Sequence, residues 1–176
     1  MDVLPKRFGK YGLTLHPEKT RLVPFQRPRR RSGQHASVQA ERLGTFDLLG
    51  FTHYWARSRR GYWVVKRKTA PRRLSRALRS ISQWCRRNRH QRVKEQHKVL
   101  VAKLRGHCEY YGLTGNSKAL CSFRSGLQRA WRKWLNRRSQ RGRMPWTRFK
   151  RLLRRYSIPP ARPVHSIYCR VAKAVP

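Results

Sequence analysis

Acidic residues are nearly absent from this 176-residue chain: six Asp and Glu stand against 45 Lys and Arg, for a formal charge of +39. The six are Asp2, Glu18, Glu41, Asp47, Glu95 and Glu109, and no two are close in sequence. Two-metal nucleotidyl transfer needs clustered carboxylates to hold its ions. No Asp-Asp pair is present, so no metal site and no cofactor are assigned to this chain, and a self-contained enzyme is not the expectation. The same scarcity denies its helices the i,i+4 ion pairs that usually lace a polar face.

Other features are missing too. The four cysteines, Cys85, Cys108, Cys121 and Cys169, have no C-x-x-C spacing. Cys85, Cys108 and Cys121 fall on or near apolar helix faces and read as buried, reduced thiols. The histidines are scattered, with no H-E-x-x-H, and there is no phosphate-cradling G-x-x-x-x-G-K-[ST]. No stretch approaches the roughly 18 apolar residues of a membrane span, and the N-terminus has no signal-peptide core. Mean hydropathy is −0.86, so any core must be thin.

What is abundant is arginine, 33 residues against 12 lysines. Arginine offers phosphate a planar two-pronged fork and stacks on bases, whereas lysine is a point charge. A surplus of this size opposes folding by self-repulsion unless a polyanion screens it. The composition therefore points to nucleic acid as the partner, and not to a membrane.

Along the chain, Leu4, Phe8 and Tyr11 precede Gly12 at near-helical spacing, as at the end of a helix with a glycine stop. Leu13–Leu15 and Thr20–Val23 read as two short strands around a Pro17 turn. Residues 26–42 read as a flexible basic loop. Phe46–Phe51, continuing into His53–Trp55, and Tyr62–Val65 beyond a turn at 58–61 predict a strand and a hairpin. From Pro71 the period turns helical. Leu74, Leu78, Ile81 and Cys85 form one stripe; Val93, His97, Leu100, Leu104, Cys108 and Tyr111 a second; Leu120, Phe123, Leu127, Trp131 and Trp134 a third, with Asn116 or Ser117 as cap. Phe149, Leu152, Leu153 and Tyr156 follow Pro145, and Pro159-Pro160 ends that helix. An irregular basic tail, 157–176, closes the chain. The sum is an α+β protein with a small sheet or hairpin followed by a bundle of three to four helices.

The stretch Leu104 to Gly115 interleaves a cation, aromatics and small residues. Arg105, His107, Tyr110 and Tyr111 are its candidate RNA contacts, although either tyrosine could equally pack. Trp131 and Trp134 favour the core. Arg129, Arg132, Lys133, Arg137, Arg138, Arg148 and Arg151 are the remaining candidate RNA-binding residues.

Gly12 to Thr20 resembles the sixth conserved block of the reverse transcriptases encoded by group II introns. Phe46-Asp47-Leu48-Leu49-Gly50-Phe51 resembles their seventh block, the primer grip. Leu104 to Gly112 resembles the signature of their maturase domain, also called domain X or the thumb, and Trp134 to Ser139 and Trp146 to Phe149 also fit it. The resemblance implies the end of a polymerase palm at 1–52, a hairpin connector at 53–70 and a helical thumb at 71–156. It implies binding to a structured group II intron RNA in support of splicing, with a template–primer duplex as a further partner. Leu49, Gly50 and Phe51 would be the primer grip, and Lys19 would match a lysine that assists polymerisation. The family's Tyr-Ala-Asp-Asp block is missing, so the Mg²⁺ that a complete polymerase needs has no ligands here. The expected location is bacterial cytoplasm or an organelle rather than outside the cell. Two alternatives stay open on the residues alone: a structural RNA-binding protein of ribosomal type, and a non-functional truncated fragment of a mobile element.

Overall fold

The computed structural model describes residues 3–16, 20, 22–28, 44–139 and 142–165. Within them lie five helices and three strands: α1 (Val3–Gly9), β1 (Phe46–Leu48), β2 (Phe51–Arg57), β3 (Trp63–Thr69), α2 (Pro71–Arg87), α3 (Val93–Tyr111), α4 (Ser117–Asn136) and α5 (Trp146–Arg155). The α+β class expected from the pattern is the class found. Lys19 and most of the basic loop at 26–42 lie outside the described residues.

The strands form one sheet in the order β1-β2-β3. A two-residue turn, Leu49-Gly50, joins β1 to β2, with φ of 50° and 82°. Both residues are left-handed, the mark of the turn whose twist matches an antiparallel hairpin. Phe46 to Trp55 is not the continuous strand that its apolar run predicts. The chain instead reverses at Leu49-Gly50, because Gly50 enters the left-handed region without strain. The second hairpin turn lies where expected: Ser58 and Tyr62 close it through a 2.8 Å backbone bond.

The chain divides into two compact units, and the division runs across the strands. One unit comprises described residues of Met1–Phe46 and Tyr54–Val64. In it Phe25 lies edge-on to Phe46 at 4.9 Å and stacks on Trp55 at 5.2 Å. Gly12, at φ 68°, follows α1 as the expected left-handed stop. The strands expected at 13–15 and 20–23 are not formed among the described residues there. Leu13 and Leu22 are exposed, and a strand with no hydrogen-bonded neighbour has nothing to hold it extended.

The other unit comprises Asp47–His53 and Val65–Pro176, and contains α2 to α5. Proline opens α2 at a position where its missing N–H costs nothing. The predicted stripes build the core: Ile81 and Cys85 from α2, Leu100, Leu104 and Cys108 from α3, Leu120, Phe123, Leu127, Trp131 and Trp134 from α4, and Phe149 from α5. Trp131 is fully buried, as its spacing favoured. Helices α2 and α4 pack where a Cβ on Gly126 would come within 2.6 Å of Leu78.

Three features depart from the stripes. Gln96 is buried and His97 only half-buried. Asn116 is the N-terminal cap residue of α4, but its side chain makes no capping bond. Its oxygen accepts the Thr69 amide at 2.9 Å, and its nitrogen donates to the Thr69 hydroxyl and the Tyr111 carbonyl, both at 2.8 Å. Cys121 is exposed, against the expectation of a buried thiol, whereas Cys85 and Cys108 are buried. Burial pushes the Cys85 thiol up to about 12.

The described part of the tail is irregular yet docked. Arg124 donates to the carbonyls of Ile158 and Pro159, both at 2.9 Å, and Ile158 and Ala161 join the core. Beyond them Leu113 and His165 form a parallel bridge.

Candidate nucleic-acid interface

The turn between β1 and β2 meets the C-terminal end of α3. The Tyr110 hydroxyl donates to the Leu49 carbonyl at 3.0 Å. Phe51 is buried against both tyrosines: it stacks on Tyr110 with centroids 6.1 Å apart and meets Tyr111 at 5.3 Å with rings inclined by 61°. A Cβ on Gly50 would lie 3.0 Å from the Tyr111 hydroxyl oxygen. Two segments singled out separately in the sequence, Leu49–Phe51 and Tyr110–Tyr111, thus form one cluster. At its tip the Leu49 side chain is 76 % exposed, although its positive φ is one that a branched side chain adopts at a cost of about 1–2 kcal/mol.

His107 belongs behind this cluster, not on its surface. Its ring stacks on Phe123 with centroids 3.6 Å apart and lies 4.7 Å from Tyr111. Burial lowers its pKa to about 4, so the ring is neutral at pH 7. Its position as a candidate RNA contact is therefore corrected: the α3 spacing that buries Leu104 and Cys108 also turns His107 inward. Tyr110 remains half exposed, and burial is the main reason that the Tyr111 hydroxyl is harder to ionise.

The candidate cations fall into two groups. Arg105, Arg129, Lys133, Arg137, Arg148 and Arg151 are exposed. Lys133 and Arg137 lie 5.5 and 5.3 Å from the Trp134 ring, and Arg86 of α2 lies 5.8 Å from it. The Trp134 indole N–H is itself spent on the Ser82 hydroxyl at 3.0 Å.

Arg132 and Arg138 are half-buried and bind backbone carbonyls. Arg132 donates to the Met144 carbonyl at 3.0 Å and lies 4.2 Å over the Trp146 ring. Arg138 donates to the carbonyls of Arg89 and Gln91, and burial lowers its pKa.

A groove of about 530 Å³ runs beside α5. Arg138, Arg143, Arg148, Arg151 and Arg155 line it, over Leu135, Met144, Leu152 and Tyr156. Arg143 and Arg155 were not among the sequence candidates. Arg155 carried a signal, since it stands four residues after Arg151 and seven after Arg148 on one helix face. Arg143 lies in an aperiodic loop and carried none.

The three acids among the described residues do not converge. Asp47 accepts the Thr52 hydroxyl at 2.5 Å, Glu95 pairs with Lys98 at 3.8 Å, and Glu109 lies exposed near the end of α3. Among the described residues no group of three or more His, Cys, Asp or Glu could hold a metal ion. The described acids Asp47, Glu95 and Glu109 do not form a set that fits the Mg²⁺ of a polymerase. Also among the described residues, no helix is long and apolar enough to cross a membrane. Compared with known proteins, the chain matches no family model, no curated protein and no solved structure.

Proposed function

We propose that this chain binds structured RNA through the cationic faces of α2 to α5, in the manner of the maturase portion of a group II intron-encoded protein. One observation carries the reading: the apolar stripes of these helices are consumed by the core, while Arg76 and Arg79 on α2, Arg105 on α3, Arg129, Lys133 and Arg137 at α4, and Arg148 and Arg151 on α5 stay exposed. The unit that presents them has almost no acid to answer them, so RNA phosphates are their natural counterions. The binding is electrostatic and geometric, and the chain performs no chemistry of its own.

The maturase part of the reading rests on the resemblance. In that family the primer grip and the thumb serve one template–primer duplex. Contact between Leu49–Phe51 and Tyr110–Tyr111 supports the same division here. The palm and thumb origins of the sheet and the helices, and the role of Leu49, Gly50 and Phe51 as a primer grip, are part of this proposal.

The test is binding to a folded group II intron RNA compared with ribosomal RNA of equal length, across a salt series. Engagement of about 6–10 phosphates lowers affinity roughly 10³–10⁵-fold between 50 and 200 mM salt, with the intron bound more tightly. A flat salt response overturns RNA binding altogether. A steep response with equal affinities overturns the maturase reading alone and favours a structural protein of ribosomal type.

A further inference from the structure

We infer that the groove beside α5 receives a single unpaired nucleotide of the bound RNA, with its base on the apolar floor and its phosphates on the arginine rim. The inference rests on the RNA-binding reading and adds the form of RNA that is recognised.

The groove is built rather than incidental. Its loop wall is pinned at Met144 from two sides. The Met144 amide donates to the Asn136 side chain at 2.5 Å, and the Met144 carbonyl accepts Arg132 at 3.0 Å. Arg138 is fixed to the Arg89 and Gln91 carbonyls. The floor, Leu135, Met144, Leu152 and Tyr156, is buried or half-buried, while Arg143, Arg148, Arg151 and Arg155 at the rim are exposed. Among the described residues no carboxylate lines the groove.

The chemistry selects the occupant. A rim of guanidinium groups without an acid asks for phosphate, and their planar faces also stack on bases. Phosphate alone would leave the apolar floor uncovered. A paired helix presents phosphates but keeps its bases stacked inside, and RNA is read through splayed-out bases for that reason. The volume of about 530 Å³ lies within the range of sites that enclose a small ligand. An extruded nucleotide has both parts: a flat, weakly polar base for the floor and flanking phosphates for the rim.

The experiment measures the affinity of the full chain for three RNA hairpins of equal length at one salt concentration. One is fully paired, one carries a single-nucleotide bulge, and one carries an abasic bulge. The bulged hairpin should bind about tenfold more tightly than the paired one, the gain of one stacked base, and the abasic bulge should lose that gain. The double variant Arg148→Ala/Arg151→Ala should bind bulged and paired hairpins alike. Arg76→Ala/Arg79→Ala removes the same charge from α2, so it should weaken both hairpins and keep their ratio.

Equal affinity of the unaltered chain for bulged and paired hairpins overturns the groove assignment and leaves RNA binding standing. A preference that survives in the abasic hairpin or in the Arg148/Arg151 variant also overturns it, because the preference then arises elsewhere. Failure to bind any of the three overturns the RNA-binding reading and the groove assignment with it.

Discussion

The side-chain oxygen of Gln96 accepts the indole N–H of Trp131 at 2.8 Å, in a core where the two residues are 1 % and 0 % exposed. The Gln96 nitrogen faces the carbonyls of Asn88, Arg89 and Gln91 at 2.7, 3.2 and 3.1 Å. One amide thus ties the turn between α2 and α3 to the C-terminal half of α4. Gln96→Leu keeps the volume but leaves the indole N–H unpaired, so it should cost about 1–3 kcal/mol. Trp131→Ala should cost about 3–5 kcal/mol through the cavity it opens. Urea denaturation measures both. Because the residues touch, the double variant should cost less than the sum of the two.

His107 gives stability a pH dependence of predictable sign. Its ordinary pKa is 6.5, and burial lowers it to about 4 in the folded chain. Between these values the unfolded chain binds a proton that the folded chain refuses. Stability should therefore fall as pH drops from 6.5 towards 4, and be unaffected by this group above 6.5. The loss should be about 1–3 kcal/mol. His107→Phe keeps an aromatic ring against Phe123 and should flatten the profile in that window. An unchanged slope in thermal unfolding between pH 7 and pH 4 would place the titration elsewhere.

Asn116 joins the end of β3 to the junction of α3 and α4. Asn116→Ala strands the buried Thr69 amide, while the Tyr111 carbonyl keeps the Leu113 amide at 2.8 Å, and should cost about 1–3 kcal/mol. Hydrogen exchange should show the effect locally, with the Thr69 amide exchanging faster than amides in the middle of α4. Uniform acceleration across the unit would mean that the bond network is not local.

The turn at Leu49-Gly50 stores strain at its first residue. Leu49→Asn places a residue tolerant of positive φ in an exposed position, and should stabilise the chain by about 0.5–1 kcal/mol. Gly50→Ala should do the reverse, because φ is 82° there and the new methyl meets the Tyr111 hydroxyl. If the exposed Leu49 side chain serves RNA, Leu49→Asn will weaken binding while raising the melting temperature, a combination that packing alone does not produce.

The helices were legible because their information is local and periodic: the spacing of Leu120, Phe123, Leu127 and Trp131 alone orients α4. The strand reversal at Leu49-Gly50 was not, because the two-residue turn usually carries Asn-Gly or Asp-Gly and here starts with leucine. The burial of His107 and of Gln96 was not legible for one reason. A polar residue on an apolar face looks like a surface group until its partners, residues distant in sequence such as Phe123 and Trp131, are brought to it. The charge surplus did not separate arginines that bind backbone carbonyls from arginines that face solvent. Arg132 and Arg138 stood beside Arg129 and Arg137 as equals in the sequence.

That separation makes the last prediction. Arg105→Ala and Arg129→Ala remove exposed cations, and should change stability by no more than about 0.5 kcal/mol. Each should weaken RNA binding and lower the slope of log affinity against log salt by about one. Arg132→Ala should act on folding. It removes a charged donor from the Met144 carbonyl and a cation from the face of Trp146, and should cost about 1–3 kcal/mol. Arg132→Lys keeps the charge but not the planar fork, so it should recover only part of that stability. Chemical denaturation and a salt titration on the same four variants decide the matter. Equal stability losses for Arg129→Ala and Arg132→Ala would mean that the contacts to Met144 and Trp146 carry no weight.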